Sequence, residues 1–400
     1  MSDPLRGDPV VLDVQLTARG ASAQCGAWAA PDAATARIAS WSGLALGAAA
    51  CASDDPPALA VCVGKAVRRG TPTAARAAIV ARSPLTGRLV DGSVGGDWAR
   101  RFAAVADALF LRGKTALPGA VLCIDSQGQV ELLAFPDQVG AALVNVHAAL
   151  VERFGNCATL GVGPAGERDV RFANLATGVE PQSFVGRGGL GRALGQTGLK
   201  AVCVRASAVD GDAPGLLRDL LTASPSLEAR ALDGTFELTH EFALRGDLAP
   251  SGDDEHADAS EWAASAAAER TKRHGCSGCP TPCGWVFQNS QGSEQLARFS
   301  ATNALGTQLG LSAFADSRML LERCNELGID AKEAGACLAL WQACARPAAQ
   351  SREELAAVLS DLVHGVGEAA RLAHGAAAFA AAIVFHYAWS YERITWLLGQ

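Results

Sequence analysis

The sequence has no run of basic residues, little charge of either sign and no long hydrophobic stretch. Charged residues make up 19% of the chain and the net charge is -7, which argues against a nucleic-acid-binding surface. The amino terminus lacks the basic and apolar segments of a secretory signal. The most apolar run, residues 376–384, is too short to cross a bilayer. We therefore expect a soluble, cytoplasmic protein that binds neither nucleic acid nor membrane.

Twelve cysteines are present, but a chain of 400 residues is not a small secreted disulfide scaffold. Nine are scattered in apolar contexts, such as Cys62 in LAVCVGK, Cys123 in AVLCIDS and Cys203 in KAVCVRA. On a strand, such a cysteine behaves as a small hydrophobic residue. The other three lie within CSGCPTPC, residues 276–283, and in a reducing compartment so tight a cluster indicates a metal.

The chain changes from β-rich to helical near its middle. Apolar runs separated by glycine turns dominate up to about residue 207, and residues 137–153 have helical periodicity. The predicted strands are residues 9–14, 58–64, 76–81, 106–113, 120–135 (a hairpin), 157–163, 169–175 and 200–206. The further predicted helices are residues 214–233, 316–346 and 354–382, the last with a break at its glycines.

These elements predict an α+β protein with a core large enough for about two or three domains. We expect a β-rich domain over residues 1–207 and an α-helical domain over residues 208–400. The cysteine loop, residues 276–283, belongs to the second domain.

The three cysteines follow the spacing C-x2-C-x3-C, which lets their thiols line one tight turn. Iron–sulfur clusters prefer such soft ligands, and Pro280 stiffens the turn after Cys279. A structural zinc normally takes four ligands, and His274 is a candidate to complete such a set. Unliganded loop cysteines are a third interpretation. The tight clustering favours the iron–sulfur interpretation without indicating its purpose.

A second motif, GRGGLG at residues 186–191, matches the G-x-G-x-x-G pattern, and Asp210 lies about 20 residues further on, as in a dinucleotide-binding fingerprint. We reject that function because no apolar strand runs into the motif and the helix after it is too short for a βαβ crossover. A surface turn is one remaining interpretation. The other is a loop whose backbone donors, with Arg187, face an anionic cofactor. We favour the second in view of the surrounding motifs.

Those motifs follow one another in the order of the aldehyde ferredoxin oxidoreductase family, which the chain resembles. They are PVVLDVQLTARG (9–20), RAAIVARSPLTG (76–87), DGSVGGDW (91–98), LGVGPAGERDVRFANL (160–175), GRGGLGRALGQTGLKAV (186–202), CSGCPTPCG (276–284), ALGTQLGL (304–311) and CNELGID (324–330). They are specific in combination, and several would mean little alone.

The resemblance implies a β domain of two sheets followed by helical domains. It also implies a tungsten- or molybdenum-bis-pterin on the β domain, with magnesium bridging the two pterins. A 4Fe-4S cluster nearby would pass electrons to ferredoxin or another electron-transfer protein. The implied reaction is oxidation of an aldehyde with water to a carboxylic acid, while some relatives act on aromatic thioesters.

The resemblance also assigns residues to these cofactors. The implied cluster ligands are Cys276, Cys279 and Cys283. Arg76 matches an arginine near the pterin phosphates, and an arginine fork suits phosphate geometry. The residues that match the two glycine loops are Gly95, Gly96, Gly186, Arg187, Gly188 and Gly189. Ser93 and Ser183 stand where the family has asparagine and arginine, and Ser93 and Phe184 could still offer backbone carbonyls to magnesium.

Other positions depart from the family. Ala313 stands where the resemblance implies a pterin-binding aspartate. Arg298 or a neighbour replaces the active-site glutamate, with Glu294 as the nearest carboxylate. Residues 41–43 read W-S-G where the family has S-R-G. The catalytic residues are therefore unknown.

The chain is also shorter than the family, whose last helical domain carries the fourth cluster cysteine, a second aspartate and the catalytic histidine. The fourth ligand is therefore expected on a separate chain. The cysteines that could be proposed instead are Cys324, Cys337 and Cys344. For Cys324 core packing is the stronger interpretation. The histidines interpreted as surface or capping residues are His147, His364 and His374.

Two functions follow from this sequence. In the first, the chain is an aldehyde ferredoxin oxidoreductase-like redox protein that needs a partner chain for the missing domain. In the second, it is a non-catalytic paralogue that acts as an electron-transfer or binding subunit. The retained cysteines and Arg76 favour a bound cofactor, whereas the lost carboxylates disfavour turnover by this chain alone. A zinc-stabilised scaffold is a third, weaker alternative.

Overall fold

The computed structural model describes residues 8–39, 42–71, 73–179, 182–209, 219, 223–245, 248, 259–276, 279–288, 292, 294–345 and 351–387. Trp41 and Asp210, both singled out from the sequence, lie outside these residues. The first of two six-stranded sheets has the order β2-β1-β6-β3-β4-β5, with β1 and β6 parallel and the other neighbours antiparallel. Its strands are β1 (Val10–Leu16), β2 (Ala21–Ala27), β3 (Leu59–Val63), β4 (Arg76–Arg82), β5 (Leu89–Gly95) and β6 (Ala108–Gly113).

The second sheet has the order β11-β10-β9-β12-β7-β8, and β12 runs parallel to β7. Its strands are β7 (Ala120–Ile124), β8 (Val130–Leu133), β9 (Ala158–Gly161), β10 (Leu175–Thr177), β11 (Phe184–Val185) and β12 (Leu199–Val204). The helices among and beside these strands are α1 (Ala33–Ala39), α2 (Leu44–Cys51), α3 (Lys65–Arg68), α4 (Asp97–Phe102), α5 (Leu143–Phe154), α6 (Pro164–Glu167) and α7 (Leu190–Gln196).

The two sheets pack face to face because both faces of their central strands are apolar. Successive strand residues point to opposite sides of a sheet. Val61 of the first sheet and Val202 of the second belong to the core between the sheets. Their neighbours Cys62 and Cys203 belong to separate clusters on the outer faces, with residues of α2 and α5 respectively. Both cysteines are fully buried, which confirms their prediction as small hydrophobic residues.

The rest of the described chain is mainly helical. Its helices are α8 (Pro225–Asp233), α9 (Leu238–Arg245), α10 (Ala259–Ala268), α11 (Phe299–Ala304), α12 (Phe314–Leu327), α13 (Ala331–Ala345), α14 (Arg352–His364) and α15 (Ala376–Tyr387). A small antiparallel sheet holds β13 (Lys272–His274), β14 (Gly284–Gln288) and β15 (Glu294–Ala297). The hydrophobic core of this helical region contains several aromatic rings. The ring of Phe314 makes edge or tilted contacts with the rings of Phe236, Trp262 and Phe287.

The predicted α+β class, with two sheets followed by helices, is confirmed. The predicted strand 169–175 is wrong for all but its last residue, because Val170, Phe172 and Ala173 bury their side chains against the helical core. Strand β12 ends at Val204 and residues 210–218 lie outside the described part, so the domain boundary at residue 207 stays a prediction.

Several helix limits also differ from expectation. Gly140 has φ of +74°, and helix α5 begins after it, at Leu143. The helix expected over 316–346 is two helices, because Gly328 adopts a left-handed conformation with φ of +76°. The predicted break in 354–382 is confirmed at Gly365 and Gly367. None of the helices in the described ranges is long and apolar enough to cross a bilayer.

Candidate redox site

The three clustered cysteines lie in the loop that joins β13 to β14. Antiparallel pairing of His274 with Gly284 holds the two ends of the loop together. Within the loop, the N–H of Cys279 donates to the carbonyl of Cys276 at 3.0 Å. All three cysteines are partly exposed and line one cleft of about 700 Å³. The loop therefore presents its thiols to a common space.

Arg273 holds this loop from the side of the helical domain. Its guanidinium donates hydrogen bonds to the carbonyls of Ala231, Arg230 and Pro282, the last within the loop itself. It also lies over the ring of Trp285, at 5.0 Å from the ring centroid. Arg273 was not among the residues predicted from the sequence. Its position three residues before Cys276 could have indicated a contact with the cysteine loop.

Arg76 joins the cysteine loop to the first sheet. The residue begins β4, opposite Gly95 in β5. Its Nη2 donates to the Ser93 carbonyl at 2.8 Å, and its Nε donates to the Ser93 hydroxyl at 3.1 Å. The remaining nitrogen, Nη1, lies 3.8 Å from Cys276 Sγ. The guanidinium is thus fixed by Ser93 and places a positive charge beside one of the three sulfurs.

Gly95 is a glycine because Cys276 occupies the space of a side chain. A Cβ at Gly95 would lie 2.6 Å from Cys276 Sγ, well inside van der Waals contact. The Gly95 N–H donates to Ser183 Oγ at 3.0 Å. Further along, a Cβ at Gly92 would lie 2.4 Å from a methyl group of Val185. The two predicted glycine loops, residues 91–98 and 185–195, therefore lie side by side. The cysteine loop contacts them at Gly95.

Arg187, Gly188 and Gly189 belong to the second glycine loop, residues 185–195, and do not contact Arg76 in the described part of the chain. Arg187 is 59% exposed and pairs with Asp330 at 3.4 Å and Glu333 at 3.8 Å. Gly188 and Gly189 have φ of +80° and +70° and lead into helix α7. Burial raises the pKa of Asp330 to about 6, although Arg187 opposes this shift. A role for these three residues at a cofactor stays a prediction.

The remaining predicted loop residues are Gly186, Phe184 and Gly96. Gly186 faces open space, with no heavy atom within 4 Å of the place where a Cβ would stand. Phe184 pairs with Ala176 in the second sheet and lines a separate cleft of about 570 Å³. Gly96 lines a third cavity, of about 310 Å³, whose wall includes Cys276. Of these three residues, Gly96 is the one that shares a cavity with the cysteine loop.

The third cavity lies between helix α4 and the cysteine loop, and Arg298 is on its wall with His274 and Asp97. Burial, and then the charge of Arg298, lower the pKa of His274. Glu294, the nearest carboxylate considered from the sequence, lines the separate cleft and is ion-paired with Lys272. The structure therefore gives this cavity an arginine where a glutamate was implied.

Two family models match the chain. Residues 44–206 match the model described as "Aldehyde ferredoxin oxidoreductase, N-terminal domain", and residues 231–390 match the one described as "Aldehyde ferredoxin oxidoreductase, domains 2 & 3". The chain belongs to the aldehyde ferredoxin oxidoreductase family. The predicted family membership is thereby confirmed.

Individual members of the family are distant relatives. A protein named "Tungsten-containing aldehyde ferredoxin oxidoreductase" from Pyrococcus abyssi is 28% identical over 288 residues, covering 67% of this chain and 46% of the relative. A protein of the same name from Pyrococcus furiosus is 27% identical over 303 residues, which cover 70% of this chain and 49% of the relative. The chain therefore spans about half the length of the curated relatives it matches.

A solved structure has the same fold. It is the "Active site complex BamBC of Benzoyl Coenzyme A reductase in complex with 1,5 Dienoyl-CoA", with a TM-score of 0.72 at 18% identity. The match covers 94% of this chain and 63% of the other. At this identity the likeness concerns the fold alone.

The other cysteines considered as ligands, and Ala313, are not among the residues that line the cysteine cleft. Cys324 and Cys337 are completely buried in the helical core, where burial raises the pKa of each thiol, and Cys344 is exposed on α13. Ala313 precedes α12. Among the described residues, no three His, Cys, Asp or Glu side chains are grouped to hold a single metal ion. A fourth ligand on one of these cysteines has no support in the geometry.

The three histidines considered from the sequence also lie apart from the cleft. His147 is half-buried, and its Nδ1 lies 2.9 Å from Thr159 Oγ1. His364 is exposed at the end of α14, with Nδ1 2.7 Å from the Ser360 carbonyl. His374 lines a groove beside Arg371 and Phe379. None of the three contacts the cysteine loop.

Proposed function

We propose that this chain is the cluster-bearing part of an aldehyde ferredoxin oxidoreductase-like redox enzyme. The reaction oxidises an aldehyde, or a related oxo compound, with water to a carboxylic acid and releases two electrons. One observation carries the proposal: Cys276 Sγ lies 3.8 Å from Arg76 Nη1 and against Gly95, so the cysteine loop touches the glycine loops directly.

The three cysteines fit an iron–sulfur cluster better than a single zinc ion. Zinc needs four donors at about 2.0–2.3 Å, whereas a cluster distributes its thiolates over several irons. The cysteines line the wall of a cleft of about 700 Å³, and the described residues offer no group of three or more donors around one ion. His274, the proposed zinc ligand, lines the neighbouring cavity instead. Cys276, Cys279 and Cys283 would therefore hold a 4Fe-4S cluster, which accepts and passes on single electrons.

The residues of this chain would act on such a cluster by position and charge. Arg76 keeps Cys276 in place and offsets the negative charge of a thiolate-bound cluster. Arg230, on the same cleft, is ion-paired with Glu237, so Arg76 supplies the less compensated charge. The cysteines face an exposed cleft, which suits electron transfer to ferredoxin or another soluble carrier.

The glycine loops fit a pterin cofactor at the open space beside Gly186. Backbone N–H groups can approach anionic groups closely there. A tungsten- or molybdenum-bis-pterin would supply the two-electron chemistry, held by Ser93, Gly95, Gly96 and Ser183, with magnesium at the Ser93 and Phe184 carbonyls. The names of the matched relatives support tungsten.

A separate chain would complete the enzyme. The fold relative is described as a complex, which supports a partner chain. Such a chain would supply the fourth cluster ligand and catalytic groups.

A non-catalytic electron-transfer or binding subunit is the second candidate function. It is favoured by the cavity at Arg298, where Asp97 is the carboxylate on the wall and is itself bound to Arg101 at 2.5 Å. No free carboxylate among the described lining residues is therefore available as a general base.

Anaerobic assays distinguish the two functions. We expect aldehyde-dependent reduction of a low-potential viologen dye by the chain co-purified with its partner, and loss of this reduction in Cys279→Ser. If the protein oxidises the reduced viologen dye but does not turn over any aldehyde, the result would instead support the electron-transfer subunit. A protein that exchanges no electrons with the dye would overturn both.

A further inference from the structure

We propose that the cavity of about 310 Å³ beside the cysteine loop binds a small carboxylate, with Arg298 as its anchor. The ligand has an apolar body and one carboxylate group. This inference rests on the proposed function, because it names the ligand class of the same site. Its test is nevertheless independent of turnover.

The size and lining of the cavity define the body of the ligand. Ligand pockets usually occupy about 300–1,000 Å³, so this cavity suits a small molecule. Trp98, Val179 and Leu296 give it apolar walls, and Cys276 forms part of the boundary with the cluster cleft. A ligand held here lies next to the proposed redox centre.

Arg298 provides the charge. The residue lies between β15 and α11, where its carbonyl accepts hydrogen bonds from the N–H groups of Ala301 and Thr302. Its backbone is therefore held by the first turn of a helix. Its half-buried side chain forms no hydrogen bond or ion pair with any other residue in the described ranges. By contrast, Arg76 and Arg101 are both committed to protein acceptors.

The charge of Arg298 is not neutralised by the carboxylates nearby. Asp97 lies on the same wall but is bound by Arg101 at 2.5 Å. Glu294 lines a different cleft and is paired with Lys272. Among the described residues of the cavity wall, Arg298 is therefore the cation without a carboxylate partner, and its charge attracts an anion.

One hydroxyl group completes the recognition. Thr177 Oγ1 accepts from the Ser183 N–H at 2.9 Å. Its own proton has no acceptor in the part of the chain that the structure describes, although Thr177 is only 6% exposed. Thr177 also lines the cavity. A planar guanidinium and a hydroxyl donor suit a carboxylate held among apolar walls.

Calorimetric titration with benzoate tests the assignment on the purified protein. Benzamide has the same shape without the charge, and we expect benzoate to bind at least about tenfold more tightly, because a charge-assisted hydrogen bond is involved. Arg298→Gln should remove this preference and Arg298→Lys should retain part of it. Arg88→Gln, at an exposed turn between β4 and β5, is the matched control and should change nothing.

Three results would overturn the proposal: equal binding of benzoate and benzamide, unchanged benzoate affinity in Arg298→Gln, or tighter binding of inorganic phosphate than of benzoate. The comparison of benzoate with benzamide uses the wild-type protein, so it stands even if a variant fails to fold.

The outcome is separable from that of the proposed function. Benzoate binding through Arg298 in a protein without iron or aldehyde oxidation would retain the carboxylate site and reject the enzyme. Aldehyde oxidation without any charge-dependent benzoate binding would do the reverse.

Discussion

Replacement of Gly95 by alanine tests whether the proposed cluster depends on the close contact between the cysteine loop and the glycine loop. The new Cβ would lie 2.6 Å from Cys276 Sγ, whereas ordinary contact begins at 3.4 Å. The sulfur therefore has to retreat by about 0.8 Å. Metal–ligand distances in a formed site hold to within about 0.2 Å, so a displacement of this size breaks the ligand geometry.

The same displacement should cost the fold little. Overpacking in a rigid core costs about 1–3 kcal/mol, but Cys276 is partly exposed in a loop. A shift of its side chain away from a preferred rotamer costs about 0.5–1.5 kcal/mol. We therefore expect the free energy of unfolding to fall by about 1 kcal/mol while the cluster is lost.

The assay is iron content and visible absorbance of the anaerobically purified protein, with urea unfolding in parallel. Gly26→Ala, in β2, is the control, because its Cβ would meet no heavy atom within 4 Å and its φ is not positive. We expect Gly95→Ala to resemble Cys279→Ser and Gly26→Ala to resemble the wild type. Full iron content and unchanged absorbance in Gly95→Ala would refute the reasoning.

Three further predictions concern the cysteines, the buried carboxylate of Asp330 and the partly exposed carboxylate of Glu167. Cys279→Ser should abolish the cluster absorbance, while Cys337→Ser, in the core, should leave it; the opposite result would reassign the ligands. Burial raises the pKa of Asp330 from 3.8 to about 6, so its contribution to stability is full below about pH 4 and is lost as the pH rises through about 6. Asp330→Asn should remove this pH dependence and gain up to about 3 kcal/mol above pH 6 in urea unfolding; an unchanged pH profile would contradict it. Glu167→Gln should cost about 3 kcal/mol because Lys200, 2.6 Å away with a side chain that is 0% exposed, would lose its partner; a loss below about 1 kcal/mol would contradict the pairing.

The strands that were predicted well are those buried on both faces. Leu59–Val63, Ala120–Ile124 and Leu199–Val204 are continuous apolar runs, and every residue in them is buried. The edge strands Ala21–Ala27 and Leu89–Gly95 were missed because neither is a continuous buried apolar run: most of the first is exposed, and the second alternates exposed and partly buried residues before its buried end. Edge pairing is decided by neighbours that the local sequence does not reveal.

The sequence identified the residues of the candidate site, but it could not predict which of them contact one another. The cysteine spacing and Arg76 were visible as motifs, and the structure brings Arg76 and Cys276 to 3.8 Å across 200 positions of sequence. The guanidinium of Arg298, which has no partner among the described residues, was visible in the sequence only as a departure from the family. Whether Arg187 faces a cofactor stays a prediction, since its charge is directed to Asp330 and Glu333.

Elemental analysis of the anaerobically purified protein tests the central claim, an iron–sulfur cluster on Cys276, Cys279 and Cys283, most directly. Iron, zinc, tungsten and molybdenum are measured per chain in the wild type and in Cys279→Ser. The account predicts several irons per chain that the substitution removes, with tungsten or molybdenum retained when the partner chain is present. Zinc in place of iron, or no metal bound through the cysteines, would contradict it.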